Sequence, residues 1–143
     1  MVSSSGFFQS RQKIKEDAFK QLLKYVNKAF PCNNTYKGYR LLAVDGSDLT
    51  IPTDPYDYET YETYSSKQKG FNNIHINALY DILNNRYLDM ILQPTRLENE
   101  RQAMITMAEA YQGEKAIFIA DRGYESYNLY EHIRHTNNYF LIR

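Results

Sequence analysis

The sequence predicts an α/β protein in which a mixed sheet is flanked by helices. Short apolar runs that end at turn residues indicate buried strands, and apolar residues at three- and four-residue spacing indicate helices. A β-hairpin interrupts the alternation of strands and helices, so the sheet is expected to combine antiparallel and parallel strands. With 143 residues, the chain has the length of one domain with its own core.

Residues 7–30 are predicted to form one helix, which Pro31 ends. Its apolar residues recur at helical spacing: Ile14, Phe19, Leu22, Leu23, Val26 and Phe30. Residues 11–28 contain six basic and two acidic side chains, which suits either a solvated helix face or a surface for nucleic acid. We divide the chain into an N-terminal helix and linker, residues 1–38, and an α/β domain, residues 39–143.

Residues 39–44 are apolar and partly branched, and they predict a buried strand that ends at Asp45-Gly46-Ser47. Residues 52–70 are predicted to be irregular, because prolines and a glycine interrupt them. Four tyrosines alternate there with acidic residues: Tyr56, Tyr58, Tyr61 and Tyr64. Such tyrosines could stack on nucleic-acid bases, but the acidic surroundings favour packing against the surface of the domain.

The hairpin is predicted from two strands, residues 74–83 and 86–92, joined by Asn84-Asn85. Asparagine tolerates the left-handed backbone that a tight turn requires. A helix over residues 97–112 should follow, with an inward face made of Leu97, Met104, Met107, Ala108 and Tyr111. The methionines are interpreted as core residues.

The last three elements are a buried strand over residues 116–120, a helix over 124–136 and a strand over 139–142. The inward side chains of that helix are expected to be Tyr127, Leu129, Tyr130 and Ile133. Because the chain stops directly after an apolar strand, we expect the domain to be C-terminally incomplete.

Composition limits the compartment and the class of protein. No apolar segment is long enough to span a membrane, and the N-terminus lacks a secretory signal. The single cysteine, Cys32, cannot form an internal disulfide. We therefore expect a cytoplasmic protein with no membrane partner.

Two buried strands end in an aspartate with glycine close behind, AVDGS at Asp45 and IADRG at Asp121. Sites in such sheets form beyond the carboxyl ends of strands, so adjacent strands would bring the two carboxylates together. A cation between them would relieve their repulsion, and Mg²⁺ with phosphate oxygens suits that position. The pattern also fits two turn-forming aspartates, and by itself it leaves both interpretations open.

Other polar residues are weaker candidates. Arg122 could contact a phosphate or pair with Asp45 or Glu125. For Asp48 a role in a turn is favoured over a water-mediated metal contact, and for His75 a packed or edge position. His132 and His135 are interpreted as surface residues, because no cysteine or third histidine lies nearby.

Three segments make the sequence recognisable: LLAVDGSDLTIP, YSSKQKGFNNIHINALYDILNNRYLDMILQP and FIADRGYESYNLYEHI. They resemble the IS4-type insertion-sequence transposases of bacteria, and the resemblance covers roughly residues 7–143. It implies a DDE catalytic domain of the RNase H-like fold, in which a strand with the first aspartate, a hairpin, a helix and a strand with the second aspartate follow one another.

The resemblance assigns the first catalytic aspartate to Asp45 and the second to Asp121. It implies two divalent ions, Mg²⁺ or Mn²⁺, and DNA as the partner, with a homodimer assembled on paired insertion-sequence ends. It also requires a later glutamate in a Tyr-Arg-Glu-Lys pattern, which this sequence does not contain. Neither Glu125 nor Glu131 occupies the expected place, and Glu98 and Glu100 precede Asp121. We therefore expect an incomplete active site.

Three hypotheses follow. The first is a fragment of a transposase that cleaves and joins DNA at insertion-sequence ends. The second is a catalytically inactive remnant that binds DNA or a partner. The third is a metal-dependent phosphatase or nuclease on a similar sheet.

Overall fold

The structure is a computed structural model that describes residues 4–11, 13–15, 17–63, 65 and 69–143. The chain divides into two compact units, Met1–Pro31 and Cys32–Arg143. Tyr64, one of the four tyrosines of the acidic segment, lies outside the described residues.

The first unit contains two helices, α1 (Ser4–Arg11) and α2 (Ala18–Ala29). The prediction of one helix over residues 7–30 was therefore wrong. Short turns replace the helix between them, with the Ile14 N–H donating to the Arg11 carbonyl at 3.1 Å. Arg11 and Lys15 would be like charges one turn apart in a continuous helix, which disfavours it. None of the residues of α2 is buried.

In its described residues, the second unit contains six strands and two α-helices. The strands are β1 (Arg40–Ile51), β2 (Tyr61–Glu62), β3 (Phe71–Asp81), β4 (Arg86–Pro94), β5 (Ala116–Ala120) and β6 (Tyr139–Ile142). The helices are α3 (Glu100–Ala110) and α4 (Tyr127–His135), and 3₁₀ turns form at Thr95–Leu97 and Arg122–Tyr124.

All six strands belong to one mixed sheet, which confirms the predicted fold class. β1 pairs with β3 antiparallel and with β5 parallel, and β6 lies parallel to β5 at one edge. β4 and β2 both pair with β3 antiparallel. β1 is longer than predicted, because its polar second half stays paired with β3 as far as Ile51 opposite Asn72. Asp45 consequently lies inside a strand and not at its end.

The hydrophobic core forms between one face of the sheet and the helices α3 and α4. β1 and β5 contribute alternate residues to it and β3 contributes Leu79, because successive side chains of a strand point to opposite faces of the sheet. The core side chains are Leu42, Val44, Leu79, Met104, Ile105, Met107, Ala108, Ala116, Phe118, Ala120, Tyr124, Leu129 and Ile133. The interpretation of the methionines as core residues is confirmed.

The hairpin is confirmed, since β3 pairs with β4 antiparallel and Asn85 adopts the left-handed backbone with φ of 51°. Its first strand ends at Asp81 and not at residue 83, so the turn covers residues 82–85. Other predictions of inward side chains were wrong. Leu97 is exposed because a 3₁₀ turn precedes α3, and Tyr127 is exposed at the first position of α4. Tyr56 and Tyr58 do not pack on the domain surface but are largely exposed.

None of the helices in the described part of the chain combines the length and the apolar character that crossing a bilayer requires.

Candidate active site

Asp45 lies in β1, and Asp121 directly follows β5, the parallel neighbour of β1. The β1–β5 register pairs Arg40 with Ala116 and continues to Ala43 opposite Ile119. Two further positions along this register place Asp45 opposite Asp121, at the point where β5 ends. Adjacent strands are about 4.8 Å apart, so the two aspartates share one small region of the sheet.

Each of these carboxylates has one oxygen bound to the local backbone. Asp45 Oδ1 accepts a hydrogen bond from the Gly46 N–H at 2.9 Å, and Asp121 Oδ1 accepts one from the Gly123 N–H at 2.8 Å. Both residues are exposed. Within the described residues no hydrogen bond reaches either Oδ2 atom, so both residues present a carboxylate oxygen to solvent or to a cation.

Asp45 also borders a groove on the face of the sheet opposite to α3. This groove has a volume of about 770 Å³ and is bordered by Ala43, Asp45, Ser47, Ile76, Ala78, Tyr80, Asn85, Tyr87 and Met90. Its walls come from β1, β3 and the hairpin. Asp45 therefore presents its carboxylate at the boundary between a mainly apolar groove and solvent.

Tyr124 lies near the two aspartates, and the sequence analysis did not identify it as a site residue. Its side chain is buried, and its hydroxyl has no hydrogen-bond partner among the described residues. Burial raises the pKa of Tyr124 well above its ordinary value, and the negative charges of Glu100, Asp45 and Asp121 raise it further. The three carboxylates thus surround one neutral phenol. In the sequence, its place in the IADRGY segment with Asp121 could have indicated this residue.

Two arginines lie at the loop that carries Asp121. Arg122 is exposed in the 3₁₀ turn and, within the described residues, makes no ion pair with Asp45 or Glu125. Arg101, on α3, donates from Nε to the Gly123 carbonyl at 3.0 Å. Arg101 therefore holds the loop to α3, while the guanidinium of Arg122 is exposed.

A second cluster of polar side chains lies on the α3 face of the sheet. Asp48 of β1 is directly opposite His75 of β3 in the register, and Asp48 Oδ1 lies 2.7 Å from His75 Nδ1. Glu98 Oε2 lies 3.5 Å from the same nitrogen. Glu100 Oε1 lies 3.2 Å from His75 Nε2. One buried imidazole thus faces three partly exposed carboxylates.

Burial alone would lower the pKa of His75. The hydrogen bond with Asp48 and the charges of Glu98, Asp48 and Glu100 outweigh it and raise the pKa above its ordinary value. The surrounding carboxylates therefore favour either a protonated imidazole or a cation bound next to it.

The expected packed position of His75 is confirmed. The role in a turn expected for Asp48 was wrong, because β1 extends through it. Sequence reasoning also set Glu98 and Glu100 aside, although the structure brings both to His75. A signal was available in Asn99, which caps α3 by accepting from the Gln102 N–H at 3.0 Å and so places the flanking glutamates at the helix start. That His75 is the partner of these glutamates could not be predicted without knowing the register of the strands.

Sequence comparison agrees with this fold. A family model described as a transposase DDE domain matches residues 36–143. The chain belongs to the transposase DDE-domain family. The matched residues of this DDE transposase domain include every strand of the sheet, and the mixed sheet is consistent with an RNase H-like fold. Membership indicates a transposase, whose substrate is DNA and whose chemistry uses divalent metal ions. No curated protein and no solved structure matches the chain.

Proposed function

We propose that Asp45 and Asp121 are catalytic carboxylates of an IS4-type transposase, which cleaves and joins DNA at the ends of an insertion sequence. The observation that supports this most strongly is the parallel register of β1 and β5, which ends at Ala43 opposite Ile119, two residues before each aspartate. We assign residues 39–143 to the catalytic domain, and residues 1–38 to an N-terminal helix and linker.

The donor set fits Mg²⁺ or Mn²⁺. Both aspartates offer exposed carboxylate oxygens, and hard oxygen donors of this kind are what Mg²⁺ prefers. Two ions, when bound, would activate a water or a DNA 3′-hydroxyl and stabilise the leaving oxygen of the phosphodiester. In this proposal Asp45 and Asp121 would hold the ions.

The surrounding side chains suit a phosphodiester substrate. Arg122 is exposed beside Asp121, where its guanidinium can donate two parallel hydrogen bonds to the oxygens of a phosphate. The buried Tyr124 stays neutral, because its phenolate would add a fourth negative charge to those of Glu100, Asp45 and Asp121. We propose Arg122 as the DNA contact of this loop and a homodimer on paired DNA ends as the active assembly.

We also propose that the complete site requires a third carboxylate. Glu125 follows the 3₁₀ turn and is exposed, and Glu131 pairs with Arg134 on α4 at 3.0 Å. Neither is therefore favoured as that ligand. The reading frame after codon 143 tests this point: a continuation with a Tyr-Arg-Glu-Lys pattern supports it, whereas a stop codon supports the alternative of an inactive remnant that binds DNA or a partner.

We expect Asp45→Asn and Asp121→Asn to abolish DNA nicking and strand transfer in the transposase that carries the third carboxylate, because each removes an anionic ligand of the metal ions. The measurement is Mg²⁺- or Mn²⁺-dependent nicking of a supercoiled plasmid that contains the insertion-sequence ends, followed on a gel. Arg122→Gln should weaken DNA binding and its salt dependence.

Glu131→Gln is the matched control, since it neutralises an exposed carboxylate on α4 and should keep full activity. The circular dichroism spectrum of each variant should equal that of the wild type. Full activity of an Asp45→Asn, Asp121→Asn double variant would contradict the assignment. Robust strand transfer by the 143-residue chain alone would contradict the need for a further carboxylate.

A further inference from the structure

We propose that Asp48, His75 and Glu98 bind one divalent transition-metal ion, of the Zn²⁺ or Mn²⁺ class, at a site separate from the Asp45–Asp121 pair. One ligand atom from each of these three residues lies within 4.8 Å of the other two. This inference does not depend on the proposed DNA chemistry, because it involves other side chains and a different face of β1.

Three elements of the fold bring the ligands together. The β1–β3 register sets Asp48 opposite His75 on the face that carries α3. Asn99 caps α3, so that Glu98 ends the preceding turn directly above the imidazole. The ligand atoms of a tetrahedral site with bonds of about 2.0–2.1 Å are about 3.3 Å apart. The distances of 2.7 and 3.5 Å from His75 Nδ1 to the two carboxylates lie close to that separation.

The orientation of His75 is that of a metal ligand. Its Nδ1 atom faces Asp48 and Glu98, while its Nε2 atom lies 3.2 Å from Glu100 Oε1. Metal-bound histidines usually donate the hydrogen of the second ring nitrogen to a carboxylate, which fixes the tautomer. The residue is only 6% exposed, and its Nε2 atom has no hydrogen-bond partner among the described residues. A small rotation of Glu100 would supply one.

The donor set selects the class of ion. One imidazole nitrogen with two carboxylate oxygens suits Zn²⁺ and other first-row divalent ions, whereas Mg²⁺ prefers a set made of oxygen alone. Asp48 and Glu98 are about half exposed, so the site is open to solvent on one side. Water would fill the remaining coordination positions, and an ion could enter from that side.

Gly46 keeps the space for this arrangement. A Cβ atom added to Gly46 would lie 2.5 Å from His75 Nε2 and would also collide with Glu100 Oε1. The backbone of β1 thus contacts the imidazole and its carboxylate partner directly. A bound ion would tie β1, and with it the neighbouring Asp45, to β3 and to the start of α3.

The test uses the 143-residue chain, with Zn²⁺ titrated by calorimetry and Co²⁺ as a spectroscopic probe. We expect about one equivalent of Zn²⁺ to bind with release of protons, since the carboxylates and the imidazole must be deprotonated. Asp48→Asn, Glu98→Gln and His75→Ala should each abolish the binding and the visible Co²⁺ bands. Glu100→Gln should weaken binding roughly tenfold, because it removes only the carboxylate that orients His75.

Two controls separate this site from others. His132→Ala removes the other histidine with a carboxylate partner, Glu109 at 2.6 Å, and Asp121→Asn removes a ligand of the proposed catalytic site. Binding should be unchanged in both. Because His75 is buried, the exposed Asp48→Asn and Glu98→Gln variants keep the test valid if His75→Ala does not fold. The proposal is overturned if Zn²⁺ does not bind, if Asp48→Asn and Glu98→Gln bind normally, or if Asp121→Asn abolishes the signal.

Discussion

At the scale of single residues, the hydroxyl of Tyr124 lies in an unfavourable environment. It is buried without a hydrogen-bond partner among the described residues, and three carboxylates lie near it. A buried hydroxyl without a partner costs free energy relative to water. Functional sites retain such locally unfavourable groups, and this hydroxyl lies near the proposed catalytic aspartates.

We expect Tyr124→Phe to leave the free energy of unfolding unchanged or to raise it by about 1–2 kcal/mol, because the variant removes an unpaired buried hydroxyl and keeps the ring. The measurement is urea denaturation at neutral pH. Tyr127→Phe is the control, since that tyrosine is 90% exposed, and it should have no effect. A clear loss of stability in Tyr124→Phe would mean that the hydroxyl does have a partner.

The same variant should alter the response to alkaline pH. Burial first, and then the nearby carboxylates, raise the pKa of Tyr124 in the folded chain. Above pH 10, the ordinary value, the unfolded chain loses this proton more readily than the folded chain does. The stability of the wild type should therefore fall relative to Tyr124→Phe as the pH rises above 10, and the difference should be constant below it.

At the scale of elements, β1 serves two clusters because its side chains alternate between the faces of the sheet. Asp45 borders the groove on one face. Gly46 and Asp48 lie against His75 on the other face, where α3 begins. A shift of one residue in the register of this strand would exchange the two sets. The antiparallel pairing with β3 from Leu42 to Ile51 is what prevents that shift.

Gly46→Ala should destabilise the domain by about 1–3 kcal/mol, because its methyl group would overlap the buried imidazole of His75. Urea denaturation measures the change. Combination with Glu100→Ala should recover only part of the loss, since that change removes one of the two colliding side chains. Gly38→Ala is a control of another kind: nothing lies within 4 Å of its added Cβ, and only the φ of 84° is unfavourable. A neutral Gly46→Ala would contradict the close contact.

At the scale of the whole second unit, one buried ion pair joins distant parts of the chain. Arg40, at the start of β1, donates from Nη1 to Asp81 at the end of β3 at 2.6 Å, and Asp81 is fully buried. The same guanidinium donates to Glu114 at 3.0 Å and to the Cys32 carbonyl. Asp81 also accepts from the hairpin residue Asn84 at 2.8 Å. One network of hydrogen bonds and ion pairs therefore joins the start of β1, the end of β3 and the segment that follows α3.

Arg40→Met should lower the free energy of unfolding by about 3–5 kcal/mol, because it leaves the buried carboxylate of Asp81 without its cation. Urea denaturation of the 143-residue chain measures the loss. Arg134→Met is the matched control: its pair with Glu131 is exposed on both sides, so a loss of about 0–1 kcal/mol is expected. Equal effects of the two variants would mean that Asp81 finds another partner.

Local patterns in the sequence were sufficient for the fold class and for most elements. The strand over residues 116–120 and the hairpin turn at Asn85 were predicted correctly, because apolar runs and turn residues act within a few positions of the chain. The length of β1 was not predictable in this way. Its second half is polar and is held in the sheet by β3, which follows only after the irregular segment.

By itself, the sequence determined the α/β fold class and its resemblance to transposases, and it predicted Asp45 and Asp121 as site residues, since these rest on contiguous segments. The tertiary structure decided which side chains meet. The β1–β5 register relates Asp45 to Asp121, and the β1–β3 register with the capped start of α3 gathers Asp48, Glu98 and Glu100 around His75. Register and helix docking depend on the packing of the whole core, and no local pattern encodes them.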